Sequence, residues 1–404
     1  MNQTGSLDMI RQMNSSTILN LLKSTAPMAK NELAKATGLS APTVTKIIND
    51  LIEIGIVQEI GVGESYGGRP PVLIDFRKDG GFILGTNISN DHITAIMVDF
   101  TGDIIARLTT PVSPSDNSFS ILSKVMNTIS DVIKKSQKSR DLIFGIGVGI
   151  SGIVDSERGI ITQASRIDWK DVPIRSILQE AYTVPVYVEE NTRLLSFAEK
   201  WFGAAQDYND ILFIRIGEEL GACFMQNGKL FDGSNDYACR SIHKLILTQP
   251  DEHCNGTAES LLTSRGICAR AMSMLDSGTF TSSLQTLSSF STIDLSEAAS
   301  NGDSFSKMIM DQTAYYLAVF VSNICRIVDP EIVVLGGGLI KARDQILGPF
   351  QQHFSDLTQS DFTKLLIVPS KLVDDAYAIG AAGIVLHNIF SAPKKFMKTH
   401  NQPK

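Results

Sequence analysis

The hydrophobic pattern of this chain changes texture twice along its 404 residues. In the first sixty residues, apolar positions recur at helical spacing, beginning with a compact apolar face over Ile18–Leu22. The stretch NELAKATGLSAPTVTKIINDLIEIGIV predicts a short helix over Asn31–Thr37 that ends at Gly38, a residue suited to a left-handed cap. A second helix then starts with Ser40 as N-cap and Pro42 in its first turn. Val44, Ile47, Ile48, Leu51 and Ile54 give that helix one buried face; Pro42, Thr45, Lys46 and Asn49 point away from it, with Thr43 at the flank. Two short strand-like runs follow, Ile56–Ile60 and Pro71–Phe76, around the Gly/Ser-rich turn GVGESYGGR. A helix-turn-helix followed by a hairpin is the outline of a winged helix. The plainer alternative, a helical linker with a disordered loop, leaves the agreement of cap, turn, apolar face and hairpin unexplained.

From Gly81 the texture becomes α/β. Strands are predicted over Phe82–Ile88, His92–Phe100, Asp103–Thr109, Leu142–Ile150 and Val184–Glu189, with helices over Ser118–Lys135 and Arg193–Phe202. The logic repeats with strands Asp210–Ile216 and Gly221–Gln226, helices filling much of Thr257–Tyr316, and a helix over Tyr315–Val328. Strands Glu331–Leu335 and Lys364–Pro369 and a helix over Ala376–Phe390 complete it. A hairpin-led sheet near residue 82 and a second α/β set near residue 210 suggest an internal duplication. The expected class is α/β with an N-terminal winged-helix domain. The body has the duplicated layout of the actin-like, ribonuclease H-like sugar-kinase fold. The expected domains are 1–78, a first lobe over 79–190 with helix 376–392 packing back on it, and a second, larger lobe over 191–404.

Composition adds a core and a location. Apolar residues make up 43% and charged residues 20%, as in a soluble globular protein. The net charge of −7 weighs against a nucleic-acid partner, but residues 1–78 hold eight basic and seven acidic residues, so the acidity lies in the body. Phosphate contacts need only local basic groups, so DNA binding stays open. Five scattered cysteines, an odd number with no close pair, argue for reduced thiols rather than a disulfide framework. The first residues lack the apolar stretch of a signal peptide, and the uncharged run Ala376–Pro393, with His387 and Asn388 inside it, reads as a buried helix rather than a membrane span. The expected location is the cytoplasm.

The ordered set of local motifs resembles the ROK family (repressor, open reading frame, kinase) over nearly the whole chain. The motifs are Gly67-Gly68-Arg69-Pro70-Pro71, Gly149-Ile150-Ser151-Gly152-Ile153-Val154-Asp155, Trp169-Lys170-Asp171-Val172-Pro173 and Glu190-Asn191 leading to Trp201-Phe202-Gly203-Ala204. They continue with Asn227-Gly228-Lys229-Leu230, Asp329-Pro330-Glu331 before Leu335-Gly336-Gly337-Gly338-Leu339, and Asp374-Asp375-Ala376 before Gly380-Ala381-Ala382. The regulator branch of that family carries a winged helix in front of the kinase-like body.

The departures from the family pattern are chemical. Where the kinases have Asp-x-Gly-Gly-Thr, whose Asp organises the metal and whose glycines admit phosphate, this chain has Asn87-Ile88-Ser89-Asn90-Asp91. The second phosphate loop, Gly-Thr-Gly-x-Gly in the family, reads Gly217-Glu218-Glu219-Leu220-Gly221, which sets two carboxylates against a triphosphate. The family's Glu-Asn-Asp supplies a base for the sugar hydroxyl; here it is Glu190-Asn191-Thr192, and Thr has no useful basicity. No catalytic residue and no cofactor are therefore expected. The zinc run of the family falls on Pro250, Glu252 and Thr257; His243 remains, and His253 and Cys254 lie off the spacing, so no metal site is expected.

The resemblance places Ser151, Gly152, Asn191, Thr192, Arg240, His243 and Glu259 at the effector pocket. Arg240 replaces a sugar-binding Glu, and a guanidinium favours anions, so the ligand is a sugar or an anionic sugar derivative, or the pocket has lost its ligand. Taken singly, His243 also reads as a satisfied core histidine and Glu259 as a helix N-terminal carboxylate. For double-stranded DNA the candidates are Ser40, Pro42, Thr43, Thr45, Lys46 and Asn49 on the recognition helix and Arg69 in the wing, entering a narrow minor groove. The expected protein is a homodimer or tetramer that reads a two-fold site and represses carbohydrate-utilisation genes until an effector closes the lobes. Two alternatives stand beside it: an active sugar kinase with a DNA module, and a repressor controlled by a protein partner.

Overall fold

The computed structural model describes residues 3–62, 70–164, 167–235, 237–341, 343–359, 361–372, 375–393 and 396. Its contacts divide the chain into two compact units, Met1–Trp201 with Asp374–Lys404, and Phe202–Val373.

The first unit opens with α1 (Gln3–Thr25), β1 (Met28–Ala29), α2 (Lys30–Thr37) and α3 (Ala41–Ile54), then β2 (Val57–Val62) and β3 (Val72–Phe76). The three strands form an antiparallel sheet in the order β1-β3-β2, with a bulge between Glu59 and Gly61. This is the winged helix that the pattern anticipates; β1 is an addition, too short at two residues to leave a period in the sequence. Ile18, Leu19 and Leu22 of α1, Leu33 of α2 and Val44, Ile47, Ile48 and Leu51 of α3 close its core.

The same unit continues with β4 (Phe82–Ile88), β5 (His92–Val98), β6 (Ile104–Pro111), α4 (Ser118–Ser136), β7 (Ile143–Ile150), β8 (Ile153–Asp155), β9 (Ile160–Ala164), β10 (Trp169–Val172), α5 (Ile174–Tyr182), β11 (Val186–Glu190) and α6 (Asn191–Phe202). Its main sheet runs β11-β7-β4-β5-β6, with β7 parallel to both neighbours and β4, β5 and β6 a meander. Every residue of β4 and β7 is buried, which explains their continuous apolar texture: both faces of the sheet are covered. The small sheet β10-β9-β8 left no separate signal in the sequence.

The second unit holds β12 (Ile211–Ile216), β13 (Leu220–Gln226), β14 (Lys229–Leu230), α7 (Ala258–Leu262), α8 (Ser264–Asp276), α9 (Thr292–Ser300), α10 (Ser304–Val328), β15 (Ile332–Gly336), α11 (Arg343–Thr358) and β16 (Leu366–Pro369). Its sheet runs β14-β13-β12-β15-β16, again a hairpin beside parallel strands. The helix expected from Tyr315 is the second half of α10, which starts at Ser304 under the N-cap Asp303; no Gly or Pro between them breaks it.

The last helix, α12 (Ala376–Ser391), returns to the first unit and lies on β4 and β7. Among the described residues no helix is long and apolar enough to cross a membrane, and all five cysteines are free. Burial pushes the Cys325 thiol up to about 12, so it is inert as a nucleophile.

Candidate functional site: a DNA-reading helix and a polar strand-end cluster

In the winged helix the local chemistry sets α3. Gly38 sits in the left-handed region (φ 69°) and closes α2. The Ser40 hydroxyl accepts a hydrogen bond from the Thr43 amide at 3.3 Å and lies 2.8 Å from the Thr43 hydroxyl. Both hydroxyls are thus engaged in the cap. Pro42, Thr45, Lys46 and Asn49 are exposed on the face opposite the core, and Thr43 is half-buried. The ion pair of Arg11 with Asp50 ties α1 to α3, and Lys30 meets Glu59 at 2.9 Å, so these two cations are committed within the module while Lys46 faces outward. Arg69 lies outside the described residues.

In the first unit a polar cluster forms where parallel strands end. Asn87 on β4 is the register partner of Gly149 on β7, and Gly149 in turn pairs with Glu189 on β11. Asn191 opens α6 directly after β11. A Cβ placed on Gly149 would stand 2.9 Å from Asn191 Oδ1 and 3.4 Å from Asn87 Oδ1. Both asparagines are buried, and both oxygens lack a hydrogen-bond partner among the described residues. Asn87 Nδ2 donates to Ser89 Oγ at 2.7 Å, which leaves its carbonyl oxygen turned to the cluster. Two buried acceptors without donors are costly unless something supplies donors. Thr192 is buried one residue further on, where the family has its base.

Ser151 and Gly152 follow the end of β7, beside the end of β11, and Ser151 is exposed. Sequence reasoning missed Glu189. It is buried, its Oε1 accepts from Ser156 Oγ (2.9 Å) and from the Glu190 amide (2.9 Å), and it pairs with buried Arg193 at 2.9 Å. Glu189 thereby fixes the strand-to-helix junction that presents Asn191. The adjacent Glu189-Glu190 pair was the available signal, but only Glu190 belongs to the family motif.

The second unit holds the other candidates. His243 lies in a short 3-10 turn, Ile242–Lys244. The Ala258 amide donates to the Leu245 carbonyl at 2.7 Å, which docks this turn on the start of α7, where Glu259 sits. Glu259 is half-exposed and lies 3.5 Å from Arg265. Arg240 is half-buried. The positions of the family's zinc run form an ordinary loop. Burial raises the Asp251 carboxyl, but the backbone N–H groups of His253 and Cys254, each at 2.8 Å, outweigh it and hold it below the usual range. Among the described residues no group of three or more His, Cys, Asp or Glu could hold a metal ion.

The two former phosphate loops are tight hairpin turns. Asp91 meets His92 at 2.7 Å, and the Ser89 amide donates to the His92 carbonyl. In the other turn Glu219 pairs with Arg215 at 2.8 Å, so one of the two carboxylates is neutralised in place, and Glu218 is exposed.

A winged helix-turn-helix joined to a body of two hairpin-led α/β sheets defines a DNA-binding regulator built on a sugar-kinase-like fold. The chain belongs to the ROK family, whose pattern matches residues 83–388, and a winged helix-turn-helix DNA-binding pattern matches residues 15–58. The chain is 27% identical over 397 residues to the xylose repressor of Caldicellulosiruptor bescii, covering 96% of this chain and 99% of that one. In fold it is similar to a ROK family transcriptional regulator described as a homologue of the Escherichia coli MLC protein (TM-score 0.83, 22% identity, 98% of this chain and 100% of that one). It is also similar to the ROK hexokinase of Thermus thermophilus (TM-score 0.62, 20% identity, 78% of this chain and 99% of that one).

Proposed function

We propose that the protein is a cytoplasmic transcriptional repressor of carbohydrate-utilisation genes that leaves its operator when a sugar-derived effector binds the body. The observation that carries this reading is the pair of buried acceptors, Asn87 Oδ1 and Asn191 Oδ1, facing Gly149 without donors of their own. Hydroxyl donors of a sugar satisfy such acceptors. A phosphoryl-transfer site has no use for Asn87 in place of a metal-binding carboxylate or Thr192 in place of a base. The relative named a xylose repressor supports a pentose as the first ligand to try. Ser151, Gly152 and Thr192 are proposed as further effector residues of the first unit, and Arg240, His243 and Glu259 as those of the second. Arg240 extends the candidate ligands to sugar phosphates and sugar acids.

For DNA, Pro42, Thr45, Lys46 and Asn49 are proposed to face the major groove, with Ser40 and Thr43 shaping the helix start and Arg69 reaching the minor groove. Two copies in a homodimer would read a two-fold site. The proposed division is a DNA module over 1–78, a lobe over 79–190 with helix 376–392 packing back on it, and a larger lobe over 191–404.

A thermal-shift screen over pentoses, hexoses, sugar phosphates and sugar acids tests the reading, followed by DNA release with each ligand that raises the melting temperature. Asn191→Ala should abolish the shift. Robust ATP-dependent phosphorylation of any sugar would overturn the reading, and release by a protein partner with no stabilising sugar would replace it.

A further inference from the structure

Helix α6 has the candidate effector residue Asn191 at one end and the DNA-binding module at the other. Asn191 and Trp201 are ten residues apart, about 15 Å along the helix axis. Along that length α6 is packed on α12 with no slack. The backbone of Gly380 lies so close to Leu194 that a Cβ there would overlap the Leu194 carbonyl, and a Cβ on Gly383 would stand 3.2 Å from the Phe197 carbonyl oxygen. The Phe197 ring meets His387 at 5.3 Å, and Trp201 meets Phe390 edge-on at 4.7 Å. Close packing of this kind makes two helices move together, because neither can shift without opening a void or a clash.

The far end of the pair holds the winged helix. The Lys23 ammonium at the end of α1 lies 4.0 Å from the Trp201 ring centre, and Lys23 Nζ donates to the Lys200 carbonyl at 3.3 Å. A cation over an indole and on the last carbonyls of a helix is favourable twice, through the ring quadrupole and the helix dipole. Phe76, the last residue of β3 in the module, stacks on Phe390 at 5.7 Å.

We propose that α6, locked to α12, is the element that couples occupancy at the Asn191 end to the DNA-binding module, with the seat of Lys23 on Trp201 and Lys200 as its joint. This rests on the effector reading above. A displacement of the first turn of α6 carries Trp201 and Phe390 with it and re-aims α1, and with α1 the recognition helix that Arg11 ties to it. By linkage, loosening the joint loosens the Asn191 end as well.

The test uses the full-length wild type, Lys23→Met and, as a second variant that keeps an aromatic ring, Trp201→Phe. Hydrogen exchange, followed by mass spectrometry, needs no ligand. Lys23→Met should speed exchange at least fivefold in peptides spanning residues 186–195 and 378–385, far from the substitution. Acceleration confined to α1 and residues 199–202 would overturn the proposal. In the second arm D-xylose is the probe, with a duplex selected in vitro on the wild-type protein. Both variants should keep the wild-type melting-temperature rise with D-xylose and the wild-type affinity for the duplex, yet need at least tenfold more D-xylose to release it. Equal release from all three proteins overturns the joint. If D-xylose fails to raise the wild-type melting temperature, that result counts against the pentose reading, and the exchange arm alone decides on α6.

Discussion

Gly147 of β7 lies directly under the carbonyl of Ala381 on α12, close enough that a Cβ on Gly147 would overlap the carbonyl oxygen. Gly85 on the neighbouring β4 stands in the same relation to Ala378. The C-terminal helix therefore rests on the sheet backbone to backbone. Gly147→Ala should force the helix off the sheet and cost about 1–3 kcal/mol. Gly348→Ala in α11, where nothing lies within 4 Å of the added carbon, should cost nothing and serves as the control. Chemical denaturation of both variants measures the difference; equal stabilities would refute the close contact.

On the recognition helix, Lys46 is exposed and faces away from the core. We propose that its ammonium contacts DNA. Lys46→Ala should weaken binding with little change in melting temperature. If its contact is with phosphate, the loss is uniform across sequences and the slope of log Kd against log salt falls by about one. If it reads a base, the loss of about 1–3 kcal/mol concentrates on one operator position. Titrations at several salt concentrations on the selected duplex and its single-base variants separate the two. Wild-type affinity throughout would remove Lys46 from the interface.

The N-cap of α10 links stability to acid. Burial pushes the Asp303 carboxyl up, but the amides of Ser283 and Ser306, each 2.7 Å from it, outweigh this and hold it at about 2. In the unfolded chain it returns to near 3.8. A carboxyl lowered on folding adds stability that is complete above the unfolded value and disappears as pH falls through the folded one. Asp303→Ala should therefore cost about 1–2 kcal/mol at pH 7. The gap to wild type should narrow from about pH 4 and close only below about pH 2 in pH-dependent denaturation. A gap that stays constant over this range would show that the carboxylate charge plays no part.

The winged helix was almost fully legible, because its signals are local: Gly38 as a left-handed end, Ser40 as cap, and an apolar face from Val44 to Leu51. In the body the strands of the two main sheets, β14 excepted, were legible for the same reason, whereas β8, β9 and β10 were not. Glu189 escaped notice because its partners, Ser156 and Arg193, are defined by strand pairing and a helix turn rather than by a motif. The continuity of α10 across Tyr315 was missed because buried polar residues, Ser306 and Thr313, interrupt the apolar face that a helix pattern requires.

The sequence by itself determined which chemistry this chain can offer. Asn87, Glu218, Glu219, Thr192 and Arg240 are identities, and no folding restores a carboxylate or a base where the chain lacks one. It also determined the helix ends and turns, since caps and periodicities act over a few residues. Only the tertiary structure decided that Asn87, Gly149 and Asn191 converge on one strand-end cluster and that Lys23 sits on Trp201. Those meetings depend on which strands pair and which helix covers them. That is settled by burying whole faces at once, a sum over many distant residues that no single stretch of sequence displays.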